Sequence, residues 1–292
     1  MTGAHFDYHE PTSIAEAVEL AARFGDEARF LAGGTDLLIQ IQRGRIAPRH
    51  VIGLHRVPGL TGVETNGRIV LGGGVTHRTI ERTPAFGGAL RGLVEGAEVI
   101  GGHQVRNVGT VAGNIVNASP AADLVPVLLA LDADVTLAGT RGERTLSLER
   151  FLLGPGHTDR HPDELLTAVT MPGLPARSAT AFLKAGRRKA MEISVACVAA
   201  RLTLDAAGER CLAARIALGA VAPTTVRVHA AERALEGQPL TAEALRRAGA
   251  LAAEAAQPIS DVRASAGFRR HLVSVLVPRA LHRCLERARG QA

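Results

Sequence analysis

Two glycine-bearing segments carry the residue types that hold a nucleotide. In the first, Ala32-Gly33-Gly34-Thr35-Asp36 follows the short run Ala28-Arg29-Phe30-Leu31 and precedes Leu37-Leu38-Ile39. Adjacent glycines between a strand and a helix permit positive φ, expose consecutive backbone N–H groups and leave a helix N-terminus behind them, which suits a pyrophosphate without any cation. The same residues also make a plain strand-to-helix turn, and taken alone the pattern favours that plain turn. It is neither G-x-G-x-x-G nor a Walker loop. The second segment runs from Ile100 through Gly101, Gly102, Gly109 and Gly113 to Ile115, then on to Ser119 and Asp123. Its small residues let a ligand lie against backbone, while Thr110, Asn114, Ser119 and Asp123 offer groups suited to ribose and ring-edge contacts. Asn117-Ala118-Ser119-Pro120 also reads as a cap for the helix holding Leu124, Leu128 and Leu129. Two such loops in one chain move the balance to a nucleotide-type ligand.

The elements that must position these loops are legible in outline. Ser13 can cap a helix from Ile14 to about Phe24, with Glu16 reaching back. A strand at 28–31, a helix from Leu37 to about Arg43 and a strand at 51–54 complete the first segment. Asn66-Gly67 turns a hairpin between 62–64 and 69–71, and Gly72-Gly73-Gly74-Val75-Thr76 opens a loop and helix. A helix over 123–131 and a strand over 134–137 follow. Met171-Pro172-Gly173-Leu174-Pro175 interrupts every ladder and marks a boundary. Beyond it, strands at 179–182, 193–204 and 213–220 precede helices at 228–236, 242–256 and 268–289, an α+β order.

Composition narrows the function classes. With 46% hydrophobic and 21% charged residues over 292 positions, the chain is globular and long enough for two cores. The charge is +6, and Lys184 and Lys189 are its only lysines. Nucleic acid is disfavoured as a partner, because the arginines are dispersed and the rings that would stack on bases are scarce: Phe 7, Trp 0 and a single tyrosine, Tyr8. Cys197, Cys211 and Cys284 form no C-x-x-C pair, so zinc and iron–sulfur sites are not expected and buried small hydrophobes are. Met1 to Asp7 lacks the apolar core of a signal peptide, and no apolar run approaches the roughly 18 residues of a membrane span. A reduced, cytoplasmic environment is expected.

The motif Arg29 to Leu38, the long run Ile100 to Ile115 and Ser119-Pro120-Ala121-Ala122-Asp123 together resemble the FAD-binding medium subunit of molybdenum hydroxylases, the xanthine dehydrogenase, aldehyde oxidoreductase and carbon monoxide dehydrogenase type. Phe182-Leu183-Lys184, Gly219 to Thr224, Ser260 to Ser265 and Phe268-Arg269-Arg270 continue the likeness over nearly the whole chain. The resemblance implies an α+β protein: a two-part FAD-binding domain of the vanillyl-alcohol-oxidase and cresol-methylhydroxylase type over 1–172, with subdomains of about 1–55 and 56–172, then a smaller α+β C-terminal domain over 173–292. It implies noncovalent FAD, with the pyrophosphate on Arg29, Phe30, Leu31, Ala32, Gly33, Gly34, Thr35, Asp36 and Leu37. Ile100, Thr110, Gly113, Asn114 and Asp123 would meet the cofactor from the second loop, Leu165 and Leu166 as a hydrophobic pair near the flavin, and Lys184 as a further contact. Lys189, within Arg187-Arg188-Lys189, reads as a solvated surface charge.

What the resemblance further implies is an electron relay with no catalytic residue or metal of its own. A large molybdopterin-binding subunit would hydroxylate substrate, a small subunit would carry two 2Fe–2S clusters, and FAD on this chain would pass electrons to NAD, oxygen or a quinone, in a dimer of heterotrimers. Asp36 stands where relatives carry serine; an acid there is expected to cap the helix behind the loop. His103 is expected to be a loop or partner-facing residue, and among the scattered histidines His55 and His77 are candidates for places near the cofactor. A stand-alone flavin- or nicotinamide-dependent dehydrogenase, and a scaffold that has lost FAD, are the competing readings.

Overall fold

The computed structural model describes residues 5–188 and 190–290; Lys189 and Met1 to Ala4, and with them the expectations placed there, lie outside the described residues. Three short strands, β1 (Asp7–His9), β2 (Ala28–Leu31) and β3 (His50–Gly53), form a parallel sheet in the order β1-β3-β2. The connection from β1 to β2 is α1 (Ile14–Phe24). Ser13 Oγ accepts from the Glu16 N–H at 3.1 Å, and Glu16 Oε2 accepts in return from the Thr12 N–H at 2.7 Å, one residue earlier than a regular capping box. Ala17, Val18 and Ala21 of α1 close over Ala28 and Ile52, and Ala138 and Leu165 of the next part complete this core. A short α2 (Leu37–Gln42) leads back to β3. β1 was not foreseen, because three residues ending in two polar side chains carry no period to read.

The middle part is a five-stranded antiparallel sheet, built from β4 (Val63–Glu64), β5 (Arg68–Gly72), β6 (Asp134–Gly139), β7 (Gly142–Ser147) and β10 (Leu165–Pro172) in the order β4-β5-β10-β6-β7. Gly67, at φ +75°, turns the expected hairpin. Between β5 and β6 the chain makes five short helices, α3 (His77–Arg82), α4 (Arg91–Glu98), α5 (His103–Val108), α6 (Val111–Val116) and α7 (Val125–Ala130), and the apolar sides of α3, α4, α6 and α7 close a core with Leu71, Leu137 and Phe151. α8 (Leu148–Phe151) and the small ribbon of β8 (Leu152–Gly154) and β9 (His157–Thr158) fill the way to β10.

After Pro172 the chain crosses to a four-stranded antiparallel sheet, β11 (Ser178–Ala185), β12 (Ala196–Leu204), β13 (Cys211–Gly219) and β14 (Val226–Arg227), in sequence order. All nine residues of β12 are buried. One face of the sheet, with Phe182, Cys197, Ala199 and Ala217, joins the core of the middle part. The other, with Val198, Leu202 and Ile216, is covered by α9 (His229–Leu235), α10 (Ala242–Ala255) and α11 (Ala266–Ala288). Burial on both faces explains why the strand opens on the apolar run Ala196 to Ala200 without alternation. It begins at Ala196, three residues later than the sequence suggests. Cys197, Cys211 and Cys284 are free and buried, and among the described residues no helix is long and apolar enough to cross a membrane.

Candidate functional site

The carboxyl end of β2 runs directly into the first glycine loop, the place where ligands gather on parallel sheets. Gly34 stands at φ +71°, and a Cβ built on Gly33 would run into the Val108 carbonyl and the Gly109 backbone. The two glycine loops therefore touch, main chain to main chain, and only glycine at position 33 permits it. Gln40 Nε2, donating to Asn117 Oδ1 at 3.4 Å, ties them a second time. Ala32 is exposed, while Phe30, Leu31, Thr35 and Leu37 are half-buried. Arg29 lies at the surface with Nη1 donating to the carbonyls of Asp26 at 2.9 Å and Ala28 at 2.7 Å.

Asp36 departs from expectation. It occupies the N-cap position of α2, but its backbone is already helical at φ −106° and ψ −49°, and its side chain makes no capping bond. A capping oxygen reaches the N–H groups of the first turn from an extended backbone; from a helical one it points away. The surrounding protein withdraws enough water to push the Asp36 carboxyl above its ordinary range.

The second loop folds as two single-turn helices, α5 and α6, pinned to the loop after β5: Val111 N–H donates to Val75 O at 2.9 Å and His77 N–H to Gly109 O at 3.0 Å. Thr110 is extended, at φ −112° and ψ 159°, and caps α6 by accepting from the Gly113 N–H at 3.1 Å. One turn on, the Asn114 Oδ1 atom is buried without a hydrogen-bond partner. Ile100 is half-buried against the middle core. His103 is the first residue of helix α5 rather than a loop residue, exposed, with Nδ1 3.2 Å from Arg106 Nη2. Ser119 Oγ accepts from the Ala121 N–H at 3.3 Å and so caps a turn rather than α7.

Asp123 and Lys184, read separately from sequence, form one unit. Lys184 Nζ donates to Asp123 Oδ2 at 2.6 Å, to Glu192 O at 2.8 Å and to Val99 O at 3.4 Å, while the Ser194 hydroxyl donates to Asp123 Oδ1 at 2.5 Å. Burial raises the Asp123 carboxyl, and Lys184 and Ser194 oppose that rise. A cavity of about 410 Å³ opens beside this unit, lined by Val99, Lys184, Gly186, Arg187, Arg188 and Glu192. Leu165 and Leu166 start β10 with their side chains in two different cores, next to a loop so close that a Cβ on Gly73 would strike the Leu166 carbonyl.

His77 matters more than its isolated place in the sequence conveys. Its ring is 3% exposed, packs against Gly109 and leaves Nδ1 buried without a partner. Burial first, and the Arg106 charge second, lower its pKa to about 4; Arg106 is in turn held by Glu81 at 3.1 Å. The signal was its position just after the Gly72 to Thr76 loop, which pins the second glycine segment.

Comparison with known proteins follows the same outline. Residues 4–174 match the family described as FAD binding domain in molybdopterin dehydrogenase, and residues 181–284 the CO dehydrogenase flavoprotein C-terminal domain. The carbon monoxide dehydrogenase medium chain of Afipia carboxidovorans is 34% identical, covering 99% of this chain and 100% of its own. A putative xanthine dehydrogenase FAD-binding subunit of Escherichia coli is 32% identical over 97% of each chain. Among solved structures, a chain of carbon monoxide dehydrogenase from Hydrogenophaga pseudoflava superposes with a TM-score of 0.93 at 32% identity, covering 98% of this chain and 99% of that one.

Proposed function

This chain belongs to the FAD-binding medium subunits of molybdenum hydroxylases, and from that premise we propose that it takes electrons from 2Fe–2S clusters on a small partner subunit and delivers them, through FAD, to an external acceptor such as NAD, oxygen or a quinone. A large molybdopterin-binding subunit completes the complex, a cytoplasmic dimer of heterotrimers. The observation that carries the reading is the joining of both glycine loops into one backbone surface at Gly33 and Val108.

The residues present suit the cofactor. Gly33, Gly34 and the N–H groups that follow them offer donors to a pyrophosphate, and Asp36 makes no capping bond that would occupy them. Asn114 Oδ1 is a buried acceptor lacking a donor, which a ligand hydroxyl or ring N–H would satisfy. Lys184 presents a cation at the far end of the second loop, fixed in place by Asp123. When bound, FAD supplies the electron uptake and release. The chain's own work is to orient the cofactor through the two loops, to keep the Asp123–Lys184 pair beside it, and to leave the cavity at Arg187 and Arg188 open.

The purified chain is expected to be yellow, with flavin absorbance near about 450 nm that acid or heat releases into solution. Gly34→Val should abolish it, because a β-branched residue resists φ +71° and meets Leu31 and Leu38. A colourless chain that takes up no added FAD overturns the proposal, and full FAD in Gly34→Val moves the pyrophosphate elsewhere.

A further inference from the structure

The chain's one tyrosine is not part of any buried core among the described residues. Tyr8 is 46% exposed on β1, aligned with Val51 of β3. Its phenol reaches over Gly53, where any Cβ would collide with the hydroxyl. Tyr8 Oη lies 3.3 Å from His55 Nδ1, and His55 Nε2 lies 3.2 Å from Glu10 Oε1. With the phenol donating to Nδ1, the imidazole proton sits on Nε2 and is donated to Glu10, so each group fixes the next. A ring held this way at the surface, over a glycine that serves it, needs an explanation that packing does not provide.

Its position gives one. Gly53 pairs with Leu31, the last residue of β2, and the Leu54 N–H donates to Leu31 O at 2.9 Å. The Tyr8 phenol, lying over Gly53, is thus one strand spacing, roughly 5 Å, from Leu31, the residue that leads into the first glycine loop at the carboxyl edge of the sheet. β2 is an edge strand, so that edge extends from the loop in a single direction, across β3 to β1. On the FAD reading above, the second glycine loop with Asn114, and Lys184 of β11 beyond it, would take the flavin half of a dinucleotide whose pyrophosphate rests on Gly33 and Gly34. The adenosine half has the sheet edge to lie on.

We propose that Tyr8, aimed by His55 and Glu10, is the platform on which the adenine ring of FAD stacks. Tyr8 is the residue that touches the cofactor, and His55 positions it. A flat heteroaromatic ring suits an exposed phenol face, and such a stack needs no charge and tolerates a mobile sugar. The inference rests on the FAD reading above.

The test uses a built-in reporter: with Tyr 1 and Trp 0, intrinsic emission of the full chain comes from Tyr8 alone. ADP added to the FAD-stripped chain is expected to quench that emission, and FAD to displace the ADP. Tyr8→Ala should weaken both FAD and ADP about tenfold, the order of one base–aromatic stack, while leaving FMN affinity unchanged. Tyr8→Phe and His55→Ala both break the Tyr8–His55 hydrogen bond but keep the ring, so each should lose only part of the FAD affinity that Tyr8→Ala loses. ADP that binds without quenching, or a Tyr8→Ala loss equal for FMN and FAD, overturns the assignment while FAD binding stands. Quenching by ADP that does not compete with FAD also overturns it, since a separate dinucleotide would then occupy the platform. A chain that binds neither FAD nor ADP overturns the FAD reading and this one with it.

Discussion

Asp36 and Thr110 hold matching places, each the residue before a single-turn helix at the site, yet only Thr110 caps. Side-chain chemistry allows both; the backbone decides, extended at Thr110 with ψ 159° and helical at Asp36 with ψ −49°. Backbone angles at a loop edge follow from tertiary contact, which is why the glycine motifs could be read from sequence and the role of Asp36 could not. His77 was opaque for the same reason: its depth comes from loops that close over it. That depth has a pH signature. His77 is held neutral with a pKa of about 4 against 6.5 for an ordinary histidine, so below that ordinary value the unfolded chain takes up a proton that the folded chain refuses. Its contribution to stability is therefore complete above pH 6.5 and is lost as pH falls through about 4. Urea unfolding at neutral pH and at a pH just above the folded value should show wild type losing roughly 2 kcal/mol more than His77→Gln. Equal losses in both proteins would refute this.

At the scale of elements, the site is two loops and the short helices behind them. The sequence displays the loops because glycine has a local cause there, but it conceals α5 and α6, six residues each, which are too short for an apolar stripe. β10 was hidden too, since Leu165, Leu166, Val169 and Met171 are buried from both sides. The contact between the loops makes Gly33 and Gly113 different glycines. At Gly33 a Cβ meets immovable backbone of the opposite loop; at Gly113 it meets only Thr110 Oγ1, at 3.0 Å. Gly33→Ala should therefore separate the loops and weaken FAD by about tenfold or more at unchanged helix content, an expected cost of 1–2 kcal/mol or above for a small clash against fixed main chain. Gly113→Ala should cost visibly less. Equilibrium dialysis of both variants decides, and equal affinities would show that the loops do not act as one surface.

In the whole molecule, the Pro172 to Pro175 interruption marks where the chain crosses over but not where the energetics divide. Phe182, Cys197, Ala199 and Ala217 of the C-terminal sheet are buried in the core of the middle part. Two charged clusters pin the same junction. Asp132 receives Arg201, Arg215 and Arg227 at 2.6, 3.1 and 2.8 Å, which holds its carboxyl below the usual range despite burial. Glu95 of α4 accepts from the Phe182 N–H at 2.8 Å and pairs with Arg287 of α11 at 2.5 Å. These arginines, dispersed in sequence, are brought together here by the fold. A junction made of shared core and paired charge should unfold as a unit. The emission of Tyr8 reports the N-terminal sheet, and α10 and α11, the two longest helices, contribute a large share of the far-UV circular dichroism from the other end, so the two signals should share one urea midpoint. Glu95→Ala leaves the Phe182 N–H without its acceptor and the Arg287 guanidinium, with only the Thr180 carbonyl left to it, without its counter-charge in a site only 12–16% exposed, a loss of about 3 kcal/mol. Both signals should shift together in that variant. If the dichroism transition moves alone, the C-terminal unit folds independently and the shared core does not couple the two ends.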